Sequence, residues 1–486
     1  MHPLLSRRHF LSQTATGLGG IALTHLLSRS QLSGATVSGP IRPDINPANP
    51  NAARKAHFEP RAKNVLMIFC SGAVSQVDTF DYKPALAQHD GKMMGFDDAR
   101  NIANTGARGT SQRVLKSPWS FTQHGQTGRW VSELFPEMAK HVDDLCFIHS
   151  MQTEGVAHGP ATLFLHCGST TFIRPSMGSW INYGLGTENE NLPGFVSIAP
   201  PTGNGGPRNY GHAFLPPVFQ GTAIGKAGVP ANELLIRNIG NNAASPAERR
   251  RQFELFREMN AEQLKKNPGD VELEAVINSY EVAWRMQNNA PGVLDLAKET
   301  PETLAMYGVN EKATDGFGRQ CLMARRLCES GVRYVQINYG DNTANPAWDQ
   351  HSNLPKHADH ARAVDKPVAG LLADLKQRGL LEDTIVWWGG EFGRTPYAEK
   401  NGTGRDHNPG GFTVWLAGGG VKPGFALGAT DELGHLAVKD KVHMHDLHAT
   451  VLHQLGLDHE KLTYTFDGRP FRLTDVSGHV VKEILS

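Results

Sequence analysis

Four stretches of the chain place acids and imidazoles just where an apolar run gives out. Ser71–Pro84, SGAVSQVDTFDYKP, holds Asp78 and Asp81 in a turn-like segment. In HSMQTEGVAHGPATLFLHCGS, His158 stands beside Gly159-Pro160 at the start of a helical pattern. Asn338–Asn353, NYGDNTANPAWDQHSN, carries Asp341, Asp349 and His351. Trp387–Gly411, WWGGEFGRTPYAEKNGTGRDHNPGG, presents Glu391 after two glycines and returns with Asp406 and His407. Carboxylate and imidazole groups are the donors of a cation site, and glycine at a strand end lets a ligand approach the backbone. Each stretch alone also has an ordinary reading. Aspartate in a turn caps backbone groups. Arg394 and Arg405 can bind an anionic ester through paired hydrogen bonds, or form salt bridges with Glu391 or Asp406. The cation reading requires that the four stretches meet in one crevice.

The elements that would bring them together are legible in the hydrophobic pattern. The folded body opens with Lys63–Cys70, KNVLMIFC, a continuous apolar run suited to a strand buried on both faces. Similar runs recur at Leu145–His149, Phe195–Ile198, Tyr334–Asn338, Thr384–Trp388 and Phe412–Leu416. Helical patterns lie between several of them; in the clearest, Val364, Val368, Leu371, Leu372 and Leu375 share a face and Gly379 makes the stop. Strands alternating with helices predict an α/β fold with a mainly parallel central sheet, and such sheets place ligands beyond the carboxyl ends of their strands. Two regions, about 88–130 and 200–290, read as insertions. The second contains a helix capped by Ser245-Pro246-Ala247-Glu248 and another over about Val271–Gln287. Asp446 sits where a cap would precede the helix carrying Leu447, Val451 and Leu455.

Composition narrows the function classes. In 486 residues, 48 Lys and Arg balance 48 Asp and Glu, so no global basic field attracts nucleic acid. Five scattered cysteines without a CxxC read as buried thiols rather than a disulfide framework. Near the N-terminus, Arg7-Arg8 followed by a short, glycine-rich apolar run to about Leu27 resembles a twin-arginine export signal. That run is too short for a spanning helix. The expected organisation is a signal over 1–36, a linker over 37–60 rich in Pro, Asn, Ser and Ala, and the body over 61–486, in a periplasmic or secreted protein without a stable membrane span.

Five phrases, VDTFDYKP, WDQHSN, GGEFGRTP, GRDHNPGGFTVWLAGGGVKPG and HDLHATVLHQLGLDHEKLTYTFDGRPFRLTDV, identify the body as resembling the DUF1501 family of exported bacterial proteins, within the alkaline phosphatase and sulfatase superfamily. That resemblance implies an alkaline-phosphatase-like three-layer sandwich. It also implies one or two divalent cations, zinc first and calcium as the alternative, held at strand ends. Carried over, the ligands are Glu391, His407, His351 with Asp349, and Asp78 as the nearest acid after the first strand. His158 falls at the attack position at a helix N-terminus, where it would be a ligand or phosphoryl acceptor, with Thr153 and Ser150 as fallback hydroxyls; otherwise a metal-activated water attacks. Three departures stand out: Phe392 replaces the second member of an Asp-His pair, Asp349 and His351 are two apart rather than four, and Gln76 stands where relatives commonly have His. No cysteine fits the formylglycine motif of sulfatases. The implied activity is hydrolysis of a small anionic ester, including a sulfated or phosphorylated saccharide; the rival expectation is a binding or structural protein that keeps the fold without turnover.

Overall fold

Asn64–Cys70 (β1) is buried at every position, as a strand covered on both faces must be. The other apolar runs become Leu145–Gln152 (β2), Phe195–Ile198 (β3), Tyr334–Tyr339 (β5) and Thr384–Gly389 (β6), and a strand not expected from the pattern, Thr222–Ile224 (β4), joins them from the region read as an insertion. A hairpin of Gly393–Ala398 (β7) and Arg405–Asn408 (β8) follows. Phe412–Ala417 (β9), Ala426–Leu427 (β10) and Val442–His443 (β11) complete the set that positions the site. This computed structural model describes residues 39–46, 49–96, 110–231, 245–267, 292–340, 346–399 and 402–486, with 277, 284 and 290. The chain divides into units Met1–Ile41 and Arg42–Ser486, and the fold is that of the second.

The central sheet runs β10-β2-β9-β6-β1-β5-β3-β4, with β11 also pairing β2. Its strands are parallel apart from β9, which is antiparallel to both neighbours. The exception has a simple cause: β9 follows β6 through the β7–β8 hairpin and not through a crossover helix, so the chain returns in the opposite sense. The start of β9 therefore lies at the same edge as the carboxyl ends of β1, β2, β5 and β6.

Alternate side chains of β1 enter opposite cores. Leu66, Ile68 and Cys70 pack with residues of helices Asp315–Glu329 and His357–Gln377; Val65, Met67 and Phe69 pack with residues of His158–Cys167, Met177–Leu185 and Met444–Gln454. The result is a three-layer α/β sandwich with a mainly parallel sheet in the middle. The helix His357–Gln377 buries Val364, Val368, Leu371, Leu372 and Leu375, and Gly379 follows its end at φ +69°. Ser245 caps Pro246–Lys266 in a reciprocal pair with Glu248. The helix expected over about 271–287 falls largely outside the described residues. The cap before Leu447 is His443, not Asp446; the helix starts at Met444, and an Asp446 oxygen accepts the His443 N–H at 2.8 Å. All five thiols are buried and none forms a disulfide. No described helix is long and apolar enough to cross a membrane.

Candidate metal centre

Four of the side chains singled out from sequence gather at that edge of the sheet. His158 is the first residue of the helix after β2, Asp349 and His351 lie in the loop after β5, and His407 is on β8 just before β9. One ligand atom from each of these four falls within 4.8 Å of every other. Close backbone packing sets the loop positions. At Gly72, φ is +101° and a Cβ would come within 2.6 Å of Asp349 N, so only glycine lets the Asp349 loop lie against the end of β1. A Cβ at Gly404 would meet the His351 carbonyl carbon and oxygen at 2.3 Å, which seats the β7–β8 connection on the His351 backbone.

The donors converge on one atom. Oδ1 of Asp349 lies 2.8 Å from His351 Nε2, 3.2 Å from His158 Nε2 and 3.4 Å from His407 Nε2. The two ring nitrogens of His351 and His407 are 3.0 Å apart. Beneath them Arg394 Nη2 donates to the same Asp349 oxygen at 2.7 Å.

The far nitrogen of each ring decides what the near one presents. His407 Nδ1 is 2.6 Å from the Val156 carbonyl oxygen, which can only accept, so that nitrogen carries the proton and a neutral ring has a lone pair on Nε2. His158 Nδ1 meets Glu391 Oε1 at 2.5 Å, and the Gly72 N–H donates to the same carboxylate at 3.1 and 3.3 Å. His351 Nδ1 lies 2.9 Å from Glu399 Oε2 and 3.8 Å from Asp406 Oδ1, off the line of a full hydrogen bond. Burial would raise the Asp349 carboxyl pKa, but the three imidazoles and Arg394 overcome it and hold that group well below the usual carboxylate range. Burial pushes His407 down; at His158 the burial effect is outweighed by Asp349 and Glu391, and its pKa rises.

This arrangement fits a divalent cation. His158 Nε2 makes no aligned hydrogen bond despite its 3.2 Å approach to Asp349; in the neutral ring, with Nδ1–H on Glu391, its lone pair faces that carboxylate, and a cation between them would relieve the repulsion. Four of the six ligand-to-ligand spacings, 2.8–3.4 Å, are close to the edges of a tetrahedron with metal bonds of about 2.0–2.1 Å, about 3.3–3.4 Å, and the other two lie within 4.8 Å. Three imidazoles and one carboxylate are donors of the zinc type; calcium takes six to eight oxygens.

The remaining expected residues are placed elsewhere. Asp78 is not brought to the cluster: Arg405 Nε and Nη2 donate to its two oxygens at 2.7 and 3.0 Å, and Ser75 Oγ at 2.5 Å. Glu391 reaches the group through His158. Arg394, expected to bind substrate anion, is buried and donates to Asp349 and to the carbonyls of Gly72, Ala73 and Arg405. Neither arginine pairs with Glu391 or Asp406. Gln76 bridges Arg394 N, Arg394 O and Gly434 O, and so holds β7 in place. The Phe392 ring stands 4.5 Å from that of His407 and 5.1 Å from that of His158, filling one flank. Ser150, a fallback hydroxyl, donates to Asp440 O at 2.5 Å. Asp341 lies outside the described residues. Sequence reasoning passed over Glu399 and the Val156 carbonyl. Glu399 reads as an ordinary surface charge, and a backbone oxygen leaves no mark on residue type.

Residues 62–485 match the family described as protein of unknown function (DUF1501). The chain belongs to this family. No curated protein matches the sequence of this DUF1501 protein. Similar solved structures include the lipoteichoic acid synthase LtaP from Listeria monocytogenes, at 10% identity over 84% of this chain and 76% of that one, TM-score 0.34. A protein in the alkaline phosphatase superfamily from Vibrio parahaemolyticus is similar at 9% identity over 87% and 73%, TM-score 0.33. So is the PsFucS1 sulfatase from Pseudoalteromonas sp., at 12% over 82% and 69%, TM-score 0.32. At these scores the neighbours bear on neither substrate nor the roles of residues.

Proposed function

We propose that this DUF1501 protein is an exported metal-dependent hydrolase of a phosphate or sulfate ester, including esters on saccharides, of the alkaline phosphatase and sulfatase type. The observation that carries the reading is the convergence of three imidazole Nε2 atoms on Asp349 Oδ1. His158, His351, His407 and Asp349 would hold one zinc-type cation, which polarises an ester oxygen and lowers the pKa of a nucleophile. The chain's own contributions follow from the contacts. Arg394 fixes Asp349 from below, Glu391 and Val156 set the tautomers of His158 and His407, and Phe392 excludes water from one flank. His351, with 24% of its side chain exposed, marks the side from which substrate arrives.

Metal analysis of the purified protein, then assays with aryl phosphates, phosphodiesters and aryl sulfates, tests the reading. The expected result is about one zinc per chain and turnover lost in His407→Ala; a wild-type protein with neither metal nor turnover overturns it. A second reading, a metal-holding binding protein, is favoured by the residue at the head of the helix, an imidazole already tied to Glu391 and not a hydroxyl or thiol. Metal without turnover on all three ester classes would select it. Export through Arg7-Arg8 is tested by fractionating cells that express wild type or the Arg7→Lys, Arg8→Lys variant.

A further inference from the structure

The three imidazoles differ in how firmly they are held. His158 and His407 have side chains only 11% and 4% exposed, each with Nδ1 on an acceptor that the fold itself fixes: Glu391, with no exposed surface, and the Val156 carbonyl. His351 is the most open of the three, with 24% of its side chain exposed, and its Nδ1 lies 2.9 Å from Glu399 Oε2, off the line of a full hydrogen bond. Glu399 directly follows β7, the hairpin strand whose partner strand β8 carries His407. Its own backbone is fastened across the turn, with Glu399 N donating to Gly404 O at 3.0 Å and Gly402 N donating to Glu399 O at 2.7 Å. The same turn is pressed against the His351 backbone at Gly404, and Thr403 is tied to the His351 loop by Thr403 Oγ1 to Ser352 O at 2.6 Å and Leu354 N to Thr403 O at 3.0 Å. One hairpin thus delivers a ligand, His407, and the carboxylate that faces the back of a second ligand, His351.

Resting on the metal reading above, we infer that Glu399 is a positioning residue for the centre. Its carboxylate keeps the proton of His351 on Nδ1 and the ring turned so that Nε2 faces inward, without itself joining the ligand set. A carboxylate behind a metal-bound imidazole both orients the ring and raises its basicity, and loss of such a partner typically lowers metal affinity by about 10–100-fold.

The test uses the full-length protein loaded with cobalt(II) as a spectroscopic probe and with zinc in competition against a chelator. Glu399→Ala is expected to weaken zinc binding by about 10–100-fold while the cobalt absorption spectrum at saturation keeps the wild-type form. Glu399→Gln, which still offers an acceptor, is expected to recover part of that loss. Thermal melts of the metal-free variants guard against a folding defect. Affinity within about twofold of wild type in Glu399→Ala overturns the inference. A changed cobalt spectrum also overturns it, because Glu399 would then be a ligand. A wild-type protein that binds neither ion overturns the metal reading first and this inference with it; the wild-type and variant arms separate the two failures.

Discussion

Two aspartates with buried carboxyl groups, Asp78 and Asp349, each follow a strand of the same sheet, and each meets an arginine of the same hairpin. Their surroundings nevertheless differ in kind. Asp78 receives a two-point contact from Arg405 plus the Ser75 hydroxyl, so charge is balanced and both oxygens are engaged. Asp349 receives Arg394 at one oxygen, and that same oxygen is crowded by three imidazole nitrogens. The first set is complete as protein. The second crowds three imidazole nitrogens against one carboxylate oxygen, where lone pairs of neutral rings facing that oxygen repel, and a shared cation would relieve the repulsion. An aspartate beside an arginine is therefore not one kind of feature; what surrounds the pair decides whether it is a fastening or a site.

Breaking the two aspartates separately gives the largest contrast. Asp349→Ala is expected to abolish stoichiometric zinc binding, a loss beyond the roughly 10–100-fold typical of residues outside the ligand set; equilibrium dialysis with elemental analysis measures it. Full retention of metal would remove Asp349 from the centre. Asp78→Asn is expected to leave metal bound per folded molecule but to cost about 3–5 kcal/mol of stability, because Arg405 is left buried and uncompensated. Urea unfolding checks this, and a cost below about 1 kcal/mol would show the pair to be dispensable. The pH dependence has a definite sign. At Asp78, burial is outweighed by Arg405 and the folded pKa is depressed. Its stabilisation is accordingly present above the ordinary carboxyl pKa and is lost as pH falls through the lower folded value.

A subtler change sharpens the contrast from the backbone side. Gly72→Ala places a methyl against Asp349 N and Trp348 N at a φ that L-residues rarely adopt. About 1–3 kcal/mol of strain is expected there, together with weakened zinc binding, since the Asp349 loop must move. Circular dichroism melts and the same dialysis assay read the two effects. Unchanged affinity would mean that the loop is placed by something other than this close approach.

The difference between the aspartates also marks how far the sequence could be read. Strand runs such as Val65–Cys70 announce themselves, because a strand buried on both faces reads as a near-continuous apolar run. The capping box at Ser245 and the stop at Gly379 are equally local and equally legible. The antiparallel sense of β9 is not, because it depends on the hairpin before it. Position after an apolar run singles out His158, Asp349, His351 and His407 one by one, and the structure brings those four together. Asp78 shares that position yet is held by Arg405, a partner 327 residues away. Glu391 shares it too, but acts through an imidazole. Strand-end position says which edge a residue reaches; it does not say which neighbour arrives first.

A third buried aspartate, with no arginine beside it, extends the comparison to its smallest effect. Asp365, on the helix His357–Gln377, accepts the backbone N–H of Glu137 at 2.8 Å and of Met138 at 2.8 Å. Burial raises its pKa from 3.8 to about 6, against the pull of those two amides. The sign is therefore opposite to that at Asp78. The contribution is fully present below the unfolded value near 3.8 and is lost as pH rises through about 6, with a slope no steeper than about 1.4 kcal/mol per pH unit. Asp365→Asn keeps the shape and removes the titration, so the stability of wild type relative to this variant should decline between pH 4.5 and 7.5 in urea melts. A flat or rising difference would mean that the two amide donors match an arginine in compensating the buried charge, and that the guanidinium is not what separates Asp78 from Asp365.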